Sequence, residues 1–409
     1  MIEWSENDLM IRDAARVFID KEIRPHIDAL ESGDMLPYPI VRKLFSQFGI
    51  DVMAAEATKK MLDRQRAGGS GSGSLTTGSI AEQASMAAIV VAELAGVSLG
   101  TVAAVGVSIG LGAATIMQRG TLAQRERWLP PLMTMEKIAA WAITEPDSGS
   151  DAFGGMKTYL KRDGEDYILN GQKTFITNGP YADVVVVYAK LDDGGVADKR
   201  DRKVLTVVLD SGMPGFTQGK PFKKMGMHSS PTGELFFDNV RVGKERLLGE
   251  TERHAGGDGR ESARASFAGE RMGVALVSLG IINECLRLCA DYAKNRTLWG
   301  QGIGNFQLIQ LKLAKMEIAR INVQNMVFSM LEGLRAGKLP TLAEASAMKL
   351  YSSEVATDVA MEAVQLFGGN GYMAEYRVEQ LARDAKSLMI YAGSNEIQVT
   401  HIAKDLLSR

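Results

Sequence analysis

A carboxylate near the start of a long apolar helix is the first candidate for chemistry in this sequence. Glu270 and Arg271 lie in a helix predicted over residues 262–295, and Glu270 shares one helical face with the apolar residues Val274, Val277 and Ile281. A carboxylate that faces a core must be paired, protonated or used in chemistry. Two interpretations stay open at this point: Glu270 is an acid–base residue, or it pairs with a nearby cation and suits the helix dipole.

Four further stretches combine hydroxyl, carboxylate or aromatic side chains with glycine. They are residues 141–151 (WAITEPDSGSD), 170–179 (NGQKTFITNG), 365–372 (QLFGGNGY), and the segments 383–386 (RDAK) and 390–398 (IYAGSNEIQ). Loops of this composition offer backbone N–H groups and short donors to a polar ligand. The alternatives are an ordinary turn for 141–151 and a helix cap for 365–372. The segment 170–179 is predicted to be a hairpin that turns at Asn170-Gly171.

Several other chemistries are excluded by their missing signatures. The sequence has no P-loop, no dinucleotide-binding glycine fingerprint and no HExxH pair. None of its four histidines stands in triad or metal-ligand spacing, and no metal site is expected. Cys285 and Cys289 have no partner cysteine, so we interpret them as small core residues in a reducing compartment. Acid–base chemistry therefore has to come from carboxylates or from a cofactor.

Composition indicates a soluble globular protein of two or three domains. The chain has 409 residues, of which 45% are hydrophobic and 23% are charged, and its formal net charge is -2. The absence of a long basic run argues against nucleic acid and against an anionic membrane surface as partners. The first residues are too acidic for a signal peptide, and the apolar run 97–117 is rich in Gly, Ala and Ser, as in a buried helix. We therefore expect a cytoplasmic protein.

The fold class that the pattern predicts is a multidomain α+β protein with domains at 1–136, 137–245 and 260–409. In the first domain helices are expected at 5–19, 39–48, 79–95 and 98–118, with a mobile Gly/Ser loop at 68–74. In the second, closely spaced strands favour an antiparallel barrel or sandwich, with strands at 166–168, 173–177, 184–189, 204–209 and 234–242. In the third, a bundle of long helices is expected, at 262–295, 305–336, 341–367 and 376–408, the last broken near 391–393.

Taken in this order, the four stretches and the segment around Arg296 resemble the acyl-CoA dehydrogenase family of flavoproteins. The resemblance is continuous from about Glu93 to the C-terminus. It implies an all-α N-terminal domain, an antiparallel β-barrel middle domain and a C-terminal four-helix bundle, assembled as a homotetramer (a dimer of dimers). It also implies FAD as cofactor, an acyl-CoA substrate and an electron-transfer flavoprotein as acceptor. The reaction implied is the α,β-dehydrogenation of fatty acid β-oxidation, in which a carboxylate takes the α proton and FAD takes the β hydride.

The resemblance also bears on which carboxylate is the base. Many family members carry the base directly after the tyrosine of the 390–398 segment, where this chain has Ala392. The active-site pattern is instead similar to that of isovaleryl-CoA and long-chain acyl-CoA dehydrogenases, which place a Glu immediately before an Arg on the first bundle helix. Glu270-Arg271 matches that arrangement, so the resemblance implies Glu270 as the catalytic base.

Other site residues follow from the same resemblance. It implies FAD contacts from Trp141, Ile143, Thr144, Ser150, Phe175, Thr177, Arg296, Trp299, Gln307, Gln365, Gly368, Gly369, Ser394 and Glu396. Several of these are expected to act across a subunit boundary. It implies substrate contacts from Ser150, Arg271, Tyr391, Ala392 and Gly393. Two departures stand out: Phe175 replaces a frequent Trp, and Ala268 replaces a frequent Asp, which puts the CoA contacts in doubt.

Some alternatives remain open from the sequence. The glycine-rich helix at 105–112 either leaves room for a longer or branched acyl chain or packs closely against a neighbour. A related flavoenzyme acting on an acyl-carrier-protein thioester, or a monooxygenase type, would carry much of the same pattern. A non-catalytic flavoprotein subunit is a third possibility, which Ala392 favours and Glu270 opposes.

Overall fold

Helices, then strands, then helices follow one another along the chain in the predicted order. The computed structural model describes residues 4–68, 77–194, 198, 200–253, 257–338 and 340–409. Apart from Gly68, the predicted mobile loop at 68–74 lies outside the described residues. The described α-helices end at Met133 before the sheet begins at Ala139, and α-helices resume at Gly259, after the sheet ends at Val242 and two short 3-10 turns follow.

The N-terminal helical segment begins with a capped helix, α1 (Glu6–Phe18). Its N-terminus is stabilised by a reciprocal capping box between Ser5 and Asp8, as the sequence predicts. A π turn and a 3-10 turn lead on to α2 (Ile27–Ser32). The segment continues with α3 (Tyr38–Gln47), α4 (Ile50–Arg66), α5 (Thr77–Ala95), α6 (Leu99–Val105), α7 (Ala114–Arg119) and α8 (Leu122–Met133). The predicted helices at 39–48 and 79–95 are confirmed by α3 and α5.

Two features of this segment differ from the prediction. Helix α4 was not predicted, because its sequence is polar and it buries only Thr58 and Leu62, one turn apart, where it packs against α8. The single helix predicted over 98–118 is interrupted by a π-helical stretch, Gly106–Ala113, between α6 and α7. Such π segments are rare and often lie at functional sites.

The middle segment is one β-sheet with mixed strand pairing. In the part of the chain that the structure describes, seven strands form it: β1 (Ala139–Ala142), β2 (Tyr159–Asp163), β3 (Asp166–Thr177), β4 (Val184–Asp192), β5 (Val204–Asp210), β6 (Phe216–Gln218) and β7 (Thr232–Val242). The pairs β2–β3, β3–β7, β4–β5 and β6–β7 are antiparallel, whereas β1 and β2 each pair with β4 in parallel. The expected β-domain is confirmed, and antiparallel pairing holds for most of it.

The predicted hairpin at Asn170-Gly171 is wrong. Both residues lie inside the continuous strand β3, which pairs with β2 on one side and with β7 on the other. Gly171 has φ +139°, and a Cβ on it would lie 2.6 Å from Thr158 Cα, so only glycine fits this position. The register shifts there, between Leu169 and Gly171, which identifies the Asn-Gly pair with a β-bulge rather than a turn.

The C-terminal segment contains the long helices that the sequence predicts. They are α9 (Gly259–Asn295), α10 (Gln307–Arg335), α11 (Leu342–Phe367), α12 (Val378–Leu388) and α13 (Asn395–Ser408). The break expected near 391–393 is confirmed by the non-helical residues between α12 and α13. A small hairpin, β8 (Thr297–Leu298) and β9 (Gln301–Gly302), joins α9 to α10.

Helix α9 is the centre of the largest apolar core. It packs against α5, α10, α11 and α12, and its buried residues include Val274, Ile281 and Ile282. Two helical stretches, Leu99–Arg119 and Gly259–Asn295, have the length and composition of membrane spans. Their most apolar windows are 56% and 61% buried inside the fold, as in core helices that pack against other parts of a chain.

Glycine permits the close approach of α5 and α9. A Cβ on Gly280 would lie well inside the van der Waals distance of the Ala92 carbonyl oxygen and 3.1 Å from Ala95 Cβ. On the facing helix end, a Cβ on Gly96 would lie 2.8 Å from the Gly280 carbonyl oxygen. The two main chains are therefore in direct contact, and neither helix can accept a side chain here without moving.

We expect Gly280→Ala to destabilise the protein. The overpacking costs about 1–3 kcal/mol or more, which outweighs the gain of about 1 kcal/mol in helix propensity. The matched control is Gly273→Ala on the same helix, where a new Cβ meets nothing within 4 Å. Thermal melts should show a lower melting temperature for Gly280→Ala and an equal or higher one for Gly273→Ala. Equal melting temperatures for the two variants would contradict the close contact.

Candidate active site

Glu270 lies about three turns into α9, where three parts of the bundle meet. The helix starts at a capping box formed by Asp258 and Glu261. Burial is the main cause that raises the pKa of Glu270 to about 7, and the positive charges of Arg271 and Lys349 act against it. A carboxylate with this pKa exchanges a proton near neutral pH, which is what a general base requires.

Arg271 joins α9 to α11 and to the segment between α12 and α13. Its guanidinium group is buried, and Nη1 donates a hydrogen bond to Ser346 Oγ at 3.0 Å. The charged carbon lies 5.8 Å from the centre of the Phe267 ring. Nη2 lies 3.7 Å from the place where a Cβ on Gly393 would stand. The predicted substrate residues Arg271 and Gly393 are therefore neighbours in the fold, although 122 positions separate them in the sequence.

The segment Tyr391–Ser394 has a backbone conformation that two consecutive left-handed residues create. Ala392 has φ +57° and Gly393 has φ +80°. Their carbonyl oxygens accept hydrogen bonds from Gln398 Nε2 at 3.1 and 2.7 Å. Among the residues that the structure describes, none accepts a hydrogen bond from the Ala392 N–H. The turn thus presents a free backbone donor in the same region as Glu270. Burial raises the pKa of the Tyr391 hydroxyl group, and the negative charge of Glu270 adds to that shift.

Trp141 connects the sheet to the start of α9. Its indole N–H donates to Thr115 Oγ1 at 3.2 Å, and its ring makes edge contacts with Tyr188 at 5.3 Å and with Phe267 at 6.5 Å between centroids. Phe267 is the residue over which Arg271 lies. The end of β1 is therefore adjacent to the helix turn that carries Glu270.

Phe175 and its neighbours form an accessible edge beside the end of β1. The Thr174 N–H donates to the Thr144 carbonyl oxygen at 2.9 Å, which joins β3 to the loop after β1. A register shift between Lys173 and Ile176 places Phe175 at φ +57°, with 67% of its surface exposed. Its ring lies 5.8 Å from that of Phe222. An exposed aromatic ring beside the half-buried Thr144 and Thr177 suits a flat ligand with polar edges.

The family of the chain is shown by comparison with known proteins. The sequence matches the acyl-CoA dehydrogenase N-terminal domain over residues 5–136, the acyl-CoA dehydrogenase middle domain over 140–240 and the acyl-CoA dehydrogenase C-terminal domain over 257–407. The chain belongs to the acyl-CoA dehydrogenase family. It is accordingly an oxidoreductase, and the family is FAD-dependent.

Individual members of the family are similar over most of their length. The short-chain specific acyl-CoA dehydrogenase of Megasphaera elsdenii is 40% identical over 76% of this chain and 79% of its own. The caffeyl-CoA reductase-Etf complex subunit CarC of Acetobacterium woodii is 35% identical over 99% of this chain and 100% of its own. The structure of butyryl-CoA dehydrogenase from Megasphaera elsdenii superposes with a TM-score of 0.82 at 33% identity, covering 100% of both chains.

A second group of predicted residues lies at the opposite end of the bundle. Arg296 ends α9 and Gln307 begins α10, and both are exposed. The end of α11 is held to the same place, since Tyr292 stacks on Phe367 at 4.0 Å between centroids. The exposed residues around this end include Trp299, Gln365, Gly368 and Gly369. Twenty-six residues of helix separate Glu270 from Arg296, which is roughly 39 Å at about 1.5 Å per residue.

Trp299 is the most accessible aromatic residue of that second group. It is 87% exposed and, with Gly300, has positive φ in the two-residue turn between β8 and β9. Two central residues with positive φ are typical of a type I′ hairpin turn. The ring contacts Phe306 edge-on at 5.7 Å between centroids. Within one chain this group and the Glu270 group do not come together.

The remaining predicted residues flank the two groups. Ser150 is exposed in the loop after β1, where Ser148 Oγ donates to the Asp151 carbonyl oxygen at 2.5 Å. Ser394 is the N-cap of α13, and Glu396 is exposed in its first turn. Ile143 is buried in the core, so its side chain supports the loop from below.

Two buried lysines, Lys173 and Lys349, are part of this site and were not predicted. Lys173 donates to the Ile143 carbonyl oxygen at 2.8 Å and to Glu145 Oε1 at 2.9 Å. Lys349 donates to the Gly393 carbonyl oxygen at 2.9 Å and to Asn395 Oδ1 at 2.8 Å. In both cases the sequence places a lysine on a face otherwise made of small or apolar residues, and this pattern indicates a buried lysine. The signal is weak because exposed lysines are common on both helices and strands.

Proposed function

We propose that this chain catalyses the FAD-dependent α,β-dehydrogenation of an acyl-CoA thioester to the trans-2-enoyl-CoA, with Glu270 as the base. The observation that carries the proposal is a carboxylate with a pKa of about 7 beside a turn whose Ala392 N–H is free to donate. The Glu270 carboxylate takes the α proton while the electrons of that C–H bond form the new double bond. FAD held by the residues named below would supply the acceptor for the hydride that leaves the β carbon.

The turn at Tyr391–Ser394 supplies the second requirement of this reaction. Removal of an α proton places negative charge on the thioester carbonyl oxygen, and a fixed N–H donor stabilises that charge. The Ala392 N–H fits this role, which does not depend on a side chain. We assign Arg271 to the orientation of the CoA portion, together with Ser150, Tyr391 and Gly393 as further substrate contacts.

FAD contacts are proposed from both groups of residues. Near Glu270, the exposed Phe175 ring with Thr144 and Thr177 suits the isoalloxazine, and Trp141, Ile143 and Ser150 are proposed to line the flavin or thioester site. Ser394 and Glu396 are proposed for the adenosine side of FAD. At the far end, Arg296, Gln307, Gln365 and Gly369 are proposed to contact the phosphate or ribose of FAD. Trp299 and Gly368 are proposed as further FAD contacts there. The separation of roughly 39 Å along α9 means that these residues serve the flavin of a neighbouring subunit. A homotetramer built as a dimer of dimers provides such neighbours.

The glycines of the π-helical stretch suggest how the acyl chain is accommodated. A Cβ on Gly112 would lie 2.6 Å from Ala139 Cβ, so this glycine serves close packing against β1. Gly106 and Gly110, four residues apart, have nothing within 4 Å of a new Cβ. Close packing therefore explains Gly112, whereas room for an acyl chain remains the interpretation for Gly106 and Gly110. We propose that the face with Gly106 and Gly110 leaves room for a longer or branched chain.

The proposed electron acceptor is an electron-transfer flavoprotein in the cytoplasm. The relative from Acetobacterium woodii is named as a subunit of a complex with such a protein, which supports the class of partner. Neither nucleic acid nor a membrane is part of the proposal.

Anaerobic reduction of the flavin tests the proposed function. The purified holoprotein is mixed with a panel of saturated acyl-CoAs of different length and branching, and the flavin absorbance is followed. We expect bleaching with at least one member, and the fastest member gives the substrate class. An acyl-carrier-protein thioester is tested in parallel. If no acyl-CoA bleaches the flavin but the carrier-protein thioester does, an enzyme that acts on acyl-carrier-protein thioesters replaces the proposal. If no thioester bleaches the flavin, a monooxygenase type or a non-catalytic flavoprotein subunit replaces it.

The pH dependence of the reaction follows from the pKa of Glu270. The base must be ionised before it can take a proton, so kcat/KM should rise with pH through about 7 and level off above it. Because burial raises the pKa of Glu270, the midpoint of the profile lies at a higher pH than an exposed glutamate would give. Rates measured between pH 5.5 and 9 (roughly the range that brackets such a group) check this. A flat profile across that range would contradict the assignment of Glu270.

A further inference from the structure

Lys349 is a fully buried cation without a direct carboxylate partner. It lies on α11, on a helix face of small residues that includes Ala345, Ser352 and Ala356. Burying an ammonium group costs free energy unless hydrogen bonds and charges compensate for it. Its two acceptors, the Gly393 carbonyl oxygen and Asn395 Oδ1, are both neutral. In the described ranges of the chain, the hydrogen bonds of the Lys349 ammonium group go to these two neutral oxygens and to no carboxylate.

The charged groups around Lys349 come from three helices. Arg271 and Glu270 face it from α9, Glu354 from α11 itself and Glu396 from α13. Burial, followed by the charge of Arg271, lowers the pKa of Lys349 to about 8, and the three carboxylates act against that shift. The ammonium group is therefore still protonated in the range near pH 7 where Glu270 ionises. The positive charge of Lys349 is one of the two that lower the pKa of Glu270.

The two acceptors of Lys349 lie in the segment that carries the free Ala392 N–H. Gly393 directly follows Ala392, and Asn395 begins α13. Ser353 Oγ donates to the same Asn395 Oδ1 at 3.2 Å, so α11 holds this segment with one charged and one neutral donor. The Gly393 carbonyl group and the Asn395 side chain are thereby both fixed against α11.

We propose that Lys349 is a positioning residue for the proposed reaction, whose buried ammonium group fixes the segment from Gly393 to Asn395 against α11 and supplies an unpaired positive charge to the site of the proposed base. This inference rests on the proposed function, because it assigns Lys349 a role through the proposed base. A role limited to anchoring the main chain would affect stability and overall rate. It would not change the pH at which the base ionises.

The test is the pH profile of kcat/KM for flavin reduction in Lys349→Met and Lys349→Arg holoenzymes. Removal of the positive charge makes ionisation of Glu270 harder, so the midpoint of the rising limb should move upward by about one pH unit in Lys349→Met. Lys349→Arg retains the charge and should return the midpoint to the wild-type value. Ser353→Ala is the matched control, since it loses the neutral donor to Asn395 and retains the lysine; its midpoint should stay unchanged. An unchanged midpoint in Lys349→Met would overturn the inference.

A second variant tests the charge without removal of the lysine. Asn395→Asp places a carboxylate at the position of an oxygen that now lies 2.8 Å from the ammonium group. The new carboxylate offsets the positive charge of Lys349, so the ionised form of Glu270 loses that support and the midpoint should again move upward. If Lys349→Met does not yield folded holoenzyme, this variant decides the question, and an unshifted midpoint in it would overturn the inference.

Hydrogen exchange supplies a measurement that does not depend on activity. Mass spectrometry of the holoenzyme without substrate should show faster exchange for peptides that contain residues 391–395 in Lys349→Met than in Lys349→Arg. Unchanged exchange in both variants would overturn the positioning part of the inference. Glu270→Gln is measured beside them: normal flavin reduction by that variant would refute the proposed base itself. If Glu270→Gln loses most of its rate of flavin reduction while the midpoint in Lys349→Met stays unshifted, only the role of Lys349 is refuted and the proposed base stands.

Discussion

Replacement of Glu270 by glutamine is expected to leave FAD bound and to slow flavin reduction by acyl-CoA by about 10²-fold or more. The amide retains the shape of the side chain and cannot accept the α proton. The raised pKa of Glu270 indicates that its environment already favours an uncharged group at this position, so the variant should fold normally. The measurement is anaerobic stopped-flow reduction with the best substrate of the acyl-CoA panel, together with the flavin absorption spectrum.

Two further variants make this result specific. Glu165→Gln is the control, because it removes a highly exposed carboxylate. In the described part of the chain the only ion pair of Glu165 is a 3.6 Å contact with Lys244. The flavin of this variant should be reduced at the wild-type rate. In Glu270→Gln/Ala392→Glu, a carboxylate returns at the position where many family members carry the base. Because Gly393 lies beside Arg271, a glutamate at 392 arises close to the proposed site, and part of the rate should return. Near-normal reduction by Glu270→Gln alone would refute the assignment.

Loss of the buried ion pair between Lys173 and Glu145 should have the largest effect on stability. Lys173 is fully buried, and Glu145 also accepts hydrogen bonds from the Lys157 and Thr158 N–H groups at 2.6 and 3.0 Å. The carboxylate is therefore fixed, and Lys173→Met leaves it without its cation. Breaking a buried pair from one side costs about 3–5 kcal/mol. We expect a markedly lower melting temperature and weaker retention of FAD, because Lys173 also holds the Ile143 carbonyl group.

The double variant Lys173→Met/Glu145→Gln separates the charge from the packing. It leaves no unpaired charge, so its melting temperature should lie above that of Lys173→Met. The effect of the two substitutions together should be smaller than the sum of their separate effects. Strict additivity would mean that the two side chains do not interact energetically in the folded protein.

The order of the helical and β segments was predicted correctly from the sequence, whereas the β-bulge at Asn170-Gly171 and helix α4 were not. Hydrophobic periodicity is a property of neighbouring residues, so the ends of α9, α10 and α11 agree with the prediction to within a few residues. Asn170-Gly171 was misinterpreted because the same dipeptide suits a tight turn and a β-bulge. Only the pairing of β3 with two neighbours decides between them. Helix α4 was missed because it buries so little apolar surface.

The sequence by itself determined the candidate chemistry: a Glu-Arg pair on an apolar helix, with an alanine where a second carboxylate is common in the family. These are residue identities, and no fold is needed to identify them. Tertiary structure alone decided what surrounds Glu270. Burial and the charges of Arg271 and Lys349, which act through space, set its pKa. The left-handed conformation of Ala392, in the turn before α13, leaves its N–H group free to donate. Both effects depend on the contact of α9, α11 and the turn before α13, which are distant in the chain.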